Sequence, residues 1–354
     1  MSPDRQETRP LKRSRTQAAQ DDLSGSQPSS KMETTLGDFE RSEEFWLEDG
    51  SIILVAQQTG FRVYRALLAR QSTVFSNMFS SSTPNAEEMV EGCPVVYMSE
   101  SAEEVAHLLH VLLPTSQRTL FSRNFSFSFE QISAIIRLAH KYDIQDVLDQ
   151  AIASLAHFFT SDFDTWERNK KQVVDVTLAQ SICIVNLARL VDWPSLLPVA
   201  LYQCALLGST VLGGYKHDNA SVEHLHPDDL RRVIRGRNRL AKEANEMVAE
   251  IFISDPCARC TTRASCRDAL RRMLEIAVAD DGCSSPEVLR SWDCGIENWG
   301  EEEGLCDACQ RAAVERDTTA RRHVWNKLPD IIFGLGVDGQ VADIEANDVI
   351  SETA

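Results

Sequence analysis

Between Phe45 and Leu155 the apolar residues switch back and forth between strand spacing and helix spacing, and this order of elements restricts the fold more than any other feature. Ile52-Ile53-Leu54-Val55-Ala56 is a short β-branched run and reads as a strand. Gln57 to Gly60 supplies a hairpin turn with Gly at its end, and Phe61-Arg62-Val63-Tyr64 alternates as a half-buried strand does. Leu67, Leu68, Phe75, Met78 and Phe79 then recur at helical spacing, on one helix or a pair of short ones. Val95 to Met98 predicts a third strand. Ser101, with Glu104 three residues on, forms a capping box before a helix bearing Val105, Leu108, Leu109, Leu112 and Leu113. Pro114 ends it, and residues 115–126 read as a loop. Ile132, Ile135, Ile136 and Ala139 share the stripe of a further helix, and Tyr142 and Ile144 lead into another that carries Val147, Leu148, Ile152 and Leu155. The spacing gives a small sheet covered by helices, and none of the residues that define it is a catalytic group.

Three motifs in this stretch are specific when taken together. Asp49-Gly50 precedes Ile52 and Leu54. Phe61, Val63, Tyr64, Arg65, Leu68, Ala69, Ser72, Phe75, Met78 and Phe79 follow at fixed intervals. Ala139, Lys141, Tyr142 and Ile144 close the stretch. On these residues the segment resembles a BTB/POZ domain, over about a third of the chain. It departs from that family at Tyr64, where histidine is usual. The spacing around Cys93-Pro94 and the run Leu178 to Leu207 also resemble a large group of fungal BTB proteins of unassigned role. The resemblance implies an α+β interaction module that pairs with its twin or with another BTB protein. In some members an apolar-x-Glu pattern between the helix pair and the third strand contacts a cullin scaffold, and Met89-Val90-Glu91 matches that pattern. The same three residues can equally be a solvent loop.

The chain has 354 residues, with hydrophobic residues at 43% and a formal net charge of −17. Length and composition allow two or three segments with a real core. The longest apolar runs fall well short of the roughly 20 residues that cross a bilayer. The first residues hold no apolar signal core, so an intracellular location, nucleus or cytoplasm, is the expectation. Lys12-Arg13-Ser14-Arg15 is a candidate import signal, against the plainer reading of a solvated basic tail. The acidic balance opposes a phosphate backbone, which argues against nucleic-acid binding and does nothing to favour a membrane surface. Arg231, Arg232, Arg235, Arg237 and Arg239 lie on a helix with an apolar opposite face and read as a solvated, salt-bridged face. His217, His224 and His226 read as surface-loop histidines, since no nucleophile elbow, phosphate loop or metalloprotease pattern accompanies them. Nothing in the chain motivates an enzyme.

Ten cysteines are present. In a reducing compartment they are core thiols or metal ligands. Cys183 and Cys204 fall on apolar helical stripes and read as core. Cys257 and Cys260 form one Cys-x-x-Cys pair, and Cys306 and Cys309 form a second about forty residues on. A two-residue gap lets both sulfurs of a pair reach one ion, so the four can close a structural, non-catalytic zinc site. Cys266 is an alternative ligand, and Cys283 and Cys294 are further candidates. The plain alternative is a set of free thiols with no metal.

The expected organisation is a disordered tail over 1–40, the BTB/POZ domain over 41–158, and a helical extension over 159–255. A cysteine-containing helical segment over 256–334 and a disordered acidic tail over 335–354 complete it. Within it, 208–219 reads as a loop, Val173 to Val191 as a long amphipathic segment, and Trp325, Leu328 and Phe333 as the docking side of a C-terminal helix. Three functions follow: a dimerising interaction protein that presents its helical half to an unknown protein client, a substrate adaptor of a cullin-RING ubiquitin ligase, and a transcriptional regulator with a zinc-stabilised segment.

Overall fold

The structure is a computed structural model that describes residues 39–81, 89–113, 127–156, 160–169, 177–279 and 285–334. The tail expected over 1–40 lies almost wholly outside the described residues, and so do the import candidate Lys12 to Arg15, Cys283 and the acidic segment 335–354.

A five-stranded sheet forms at the N-terminal end, in the order β1-β3-β2-β5-β4. Strands β2 (Ile52–Ala56) and β3 (Thr59–Val63) are an antiparallel hairpin with Ala56 opposite Thr59. Its turn is the two residues Gln57 and Gln58, and Gln57 takes a φ of 53°. Gly60 therefore belongs to the strand and not to the turn as the spacing suggested. A Cβ there would lie 2.3 Å from the Phe39 ring, so close packing and not turn chemistry requires the glycine. All five residues of β2 are buried, because the central strand is covered on both faces. Ile52, Leu54 and Ala56 enter the main core, while Ile53 and Val55 pack with Cys93, Phe39 and Trp46 on the other side.

Strand β1 (Glu40–Trp46) pairs in parallel with β3 and forms one edge. Its Glu-Arg-Ser-Glu-Glu sequence carries no apolar alternation, which is why periodicity places the start of order later, at Phe45. The other edge is β4 (Met89–Val90), joined to β5 (Cys93–Met98) by a tight turn. Both turn residues have positive φ, Glu91 at 50° and Gly92 at 75°, the backbone that a two-residue hairpin of right-handed twist demands.

Helices α1 (Arg65–Gln71) and α2 (Thr73–Ser81) are separated at Ser72, whose buried hydroxyl accepts the Phe75 amide at 3.0 Å. Helix α3 (Ala102–Leu112) starts with the Ser101–Glu104 capping box, and α4 (Phe129–Lys141) with a second one from Ser128 and Gln131. Helix α5 (Gln145–Ala156) completes the sheet-and-helix unit.

The remainder is mostly helical: α6 (Phe163–Asn169), α7 (Ser181–Leu190), α8 (Leu197–Leu206), α9 (Pro227–Phe252), α10 (Arg263–Ala279), α11 (Asp293–Glu302) and α12 (Asp307–Phe333). Of the amphipathic segment expected from Val173, residues 173–176 lie outside the described residues, and the rest holds a 3-10 turn at Leu178–Gln180 followed by an α-helix over Ser181–Leu190. The loop expected over 208–219 holds a 3-10 turn (Gly208–Gly213) and the first strand of a hairpin, β6 (Tyr215–Lys216) with β7 (Val222–Glu223). Two-residue strands with one apolar side chain leave no alternation to read.

One hydrophobic core runs from the sheet through α7 and α8 to α9 and the C-terminal half of α12. Trp325 and Leu328 are buried in it as expected, and Phe333 is packed against it. The BTB-like segment and its extension therefore share a core. A second, smaller core joins the end of α9, α10, α11 and the start of α12. No described helix is long and apolar enough to cross a membrane.

Candidate functional site

The smaller core ends in a cluster of sulfurs. Cys257 and Cys260 lie in the connection after α9, where the Cys260 amide donates to the Cys257 carbonyl at 3.0 Å and turns both side chains to one side. Cys306 is the N-cap of α12, and the Cys309 amide repeats that turn onto the Cys306 carbonyl at 2.9 Å. Cys266, in the first turn of α10, is fully buried. The sulfurs of Cys260, Cys266, Cys306 and Cys309 all lie within 4.8 Å of one another. Cys306 is 3.9 Å from Cys260, and Cys309 is 3.7 Å from Cys257. Both predicted pairs thus meet, and Cys266 joins them. The Cys306 amide (3.4 Å) and the Thr262 hydroxyl (3.2 Å) approach the Cys266 sulfur. The Cys309 amide beside the Cys306 thiol pulls its pKa down to about 7, whereas burial pushes the Cys309 thiol up. Among the other described cysteines, Cys93, Cys183 and Cys204 are buried and Cys294 is exposed.

A second cluster was not legible in the sequence. His217, between β6 and β7, is 16% exposed and sits between two carboxylates. Its Nδ1 is 2.8 Å from Glu130 Oε2 on α4, and its Nε2 is 2.9 Å from Glu223 Oε2 on β7. Carboxylate oxygens only accept, so both ring nitrogens donate and the imidazole is held protonated. Burial works to lower the His217 pKa, but the bonds to Glu130 and Glu223 outweigh it and raise the value above 6.5. Glu223 also accepts from Arg137 at 2.7 Å and Asn186 at 2.7 Å. Tyr215 donates to Glu130 at 2.6 Å. This network binds the hairpin to α4 and leaves its polar atoms engaged, which is the work of a latch. His224 and His226 are exposed, as expected of loop histidines.

The Met89-Val90-Glu91 pattern falls on β4 and its turn. Met89 is 38% exposed. The Glu91 carboxylate is tied to Arg41 on β1 and, at 3.1 Å, to Arg62 on β3. Motif residues of the first stretch are tied within the domain: the Tyr64 hydroxyl donates to the motif residue Asp49 at 2.7 Å, and the Tyr142 hydroxyl donates to Glu100, just before α3, at 3.0 Å. Three of the five arginines of the α9 run are engaged within the fold, while Arg231 and Arg235 are exposed. Arg232 pairs with the buried Asp229 at 2.8 Å, and Arg237 and Arg239 donate to the carbonyls of Ala205 and Ile331 at 2.7 and 2.9 Å.

Comparison with protein-family models matches residues 47–158 to the BTB/POZ domain. No curated protein matches the chain. The match begins one residue after β1 and ends just beyond α5, so it covers strands β2 to β5 and helices α1 to α5 and leaves the edge strand Glu40–Trp46 and the helical half outside. The chain carries a BTB/POZ domain, a protein–protein interaction module, over residues 47–158.

Proposed function

We propose that this protein is a non-enzymatic interaction protein that associates with a second copy of itself, or with another BTB protein, through its BTB domain and presents its helical half to a protein client. The observation that carries this is the BTB/POZ match over a sheet whose two edges, β1 and β4, have no further strand paired to them among the described residues. An open edge offers unpaired amide and carbonyl groups to a neighbouring chain. The shared core supports the second half of the reading, because a helical region packed directly on the BTB domain moves with it as one body.

Light scattering of the full chain at micromolar concentration tests the association. The expected mass is about twice the 39.6 kDa of one chain. A strict monomer at that concentration, with no other BTB protein co-purifying, removes the reading.

A substrate adaptor of a cullin-RING ligase is the second reading, and the exposure of Met89 at the sheet edge supports it. A cullin that seeks Glu91 competes with Arg41 and Arg62. The adaptor reading expects a cullin to co-purify and Met89→Ala to weaken it, and recovery of no cullin under gentle conditions sinks it. A DNA-binding regulator is disfavoured by the net charge of −17 and by the internal engagement of Arg232, Arg237 and Arg239 on α9.

A further inference from the structure

We propose that the cysteine cluster holds one structural zinc ion, ligated by Cys260, Cys266, Cys306 and Cys309, with Cys257 as a fifth thiol that the ion does not require.

The sulfur geometry carries the proposal. Zinc–thiolate bonds of about 2.3 Å place the corners of a tetrahedron about 3.8 Å apart. Cys260 and Cys306 are 3.9 Å apart, and the four sulfurs lie within 4.8 Å of one another. A disulfide needs sulfurs about 2.05 Å apart, so the cluster is not a set of closed bridges. Four reduced thiols converging from three elements have no shared apolar purpose that fewer would not serve. The ligands come from the connection after α9, the first turn of α10 and the first turn of α12.

The surroundings suit a metal–thiolate centre. Four thiolates around Zn²⁺ leave a net charge of about −2. Arg316, two turns along α12 from Cys309, lies near enough for charge on Cys309 and Cys257 to act on its guanidinium. Its Nε and Nη2 are buried without a hydrogen-bond partner in the protein. Two buried guanidinium nitrogens left without acceptors are costly, and anionic sulfurs supply what they lack. The Cys306 amide and the Thr262 hydroxyl at Cys266 are the outer hydrogen bonds that orient a sulfur ligand. Cys257 touches Cys309 at 3.7 Å but is absent from the group of four, and it is more exposed than Cys266.

The ion has a structural role to fill. The smaller core packs Phe252, Leu270, Met273, Ile296 and Leu305 against Ala269, Ala277 and Ala313, and holds far fewer buried residues than the main core. Such a core gains from a cross-link between the connection after α9 and the start of α12.

The test uses the full chain, purified without chelator. Elemental analysis is expected to give about one zinc per chain. Cobalt added to the zinc-depleted protein is expected to show the intense thiolate charge-transfer and visible bands of a tetrahedral sulfur site. Cys257→Ser is expected to keep the metal, and Cys266→Ser and Cys306→Ser to lose it. Elemental analysis and cobalt spectra of the unmodified chain stand even where a variant fails to fold. Purified protein without metal that gives no cobalt spectrum overturns the proposal, as does recovery of disulfides joining these cysteines. Loss of metal in Cys257→Ser with retention in Cys266→Ser overturns the ligand assignment.

Discussion

Phe75 and Tyr142 stack face to face, with ring centroids 4.4 Å apart and planes 7° from parallel. Phe75 belongs to α2 and Tyr142 caps α4, so the stack joins two parts of the domain far apart in sequence. The Tyr142 hydroxyl then reaches Glu100, which Lys141 also pairs. Removing the Phe75 ring opens a cavity at a site 1% exposed, and Phe75→Ala is expected to cost about 3–5 kcal/mol. Tyr142→Phe keeps the stack and loses one hydrogen bond, so it is expected to cost about 1–2 kcal/mol. Urea midpoints at constant slope check both, and equal losses in the two variants contradict the division of labour.

The His217 latch makes stability depend on pH from both sides. Its folded pKa is raised above 6.5, so its contribution is full below that value and is lost as pH rises through the folded one. Burial opposes the charged form of Glu223, but Arg137 and its other partners more than reverse this and hold it below 4.5. The Glu223 contribution is therefore present above 4.5 and is lost as pH falls. His217→Gln is expected to lower the urea midpoint clearly at about pH 5.5 and much less at about pH 8.5. An equal drop at both values contradicts a protonated His217.

Arg321 is 2% exposed and lies on α12 between Asp317, at 2.8 Å, and Glu167 on α6. Burial lowers its pKa to about 10, so it stays charged at neutral pH. Arg321→Ala leaves two carboxylates near the core without their cation and is expected to cost about 3–5 kcal/mol. Arg321→Met with Asp317→Leu and Glu167→Gln removes the charges together and is expected to cost much less. Thermal unfolding of the single and triple variants separates a net stabilising network from a merely satisfied one.

If zinc holds the cysteine cluster, a chelator destabilises the smaller core before the larger one. Amides of α10 are expected to exchange with solvent faster after zinc removal, while those of α4 and α7 stay protected. Hydrogen exchange read by mass spectrometry distinguishes this from uniform loosening, which would show the two cores to be one cooperative unit.

The BTB domain was legible because its signals are local. The Ser101–Glu104 capping box, the alternation of Phe61 and Val63, and the stripe Ile132, Ile135, Ile136 and Ala139 each depend on residues a few positions apart. Backbone periodicity turns such short-range patterns into elements. The two Cys-x-x-Cys pairs were legible for the same reason, since a two-residue gap fixes sulfur proximity within a turn. The strand Glu40–Trp46 was missed because its pairing with β3, and not its own side chains, makes it a strand.

The amino-acid sequence by itself determined the hairpin β2–β3, strand β5 and the helices of the N-terminal third, its BTB/POZ likeness, and the two Cys-x-x-Cys pairs whose thiols can meet. Tertiary structure alone decided that the helical half shares the BTB core, that Cys266 joins the two pairs, and that Glu130, His217 and Glu223 converge. Those facts rest on contacts between residues tens of positions apart. Such contacts form because buried surface and satisfied charge must be shared among all elements at once, and no periodicity along the chain records which distant partner completes them.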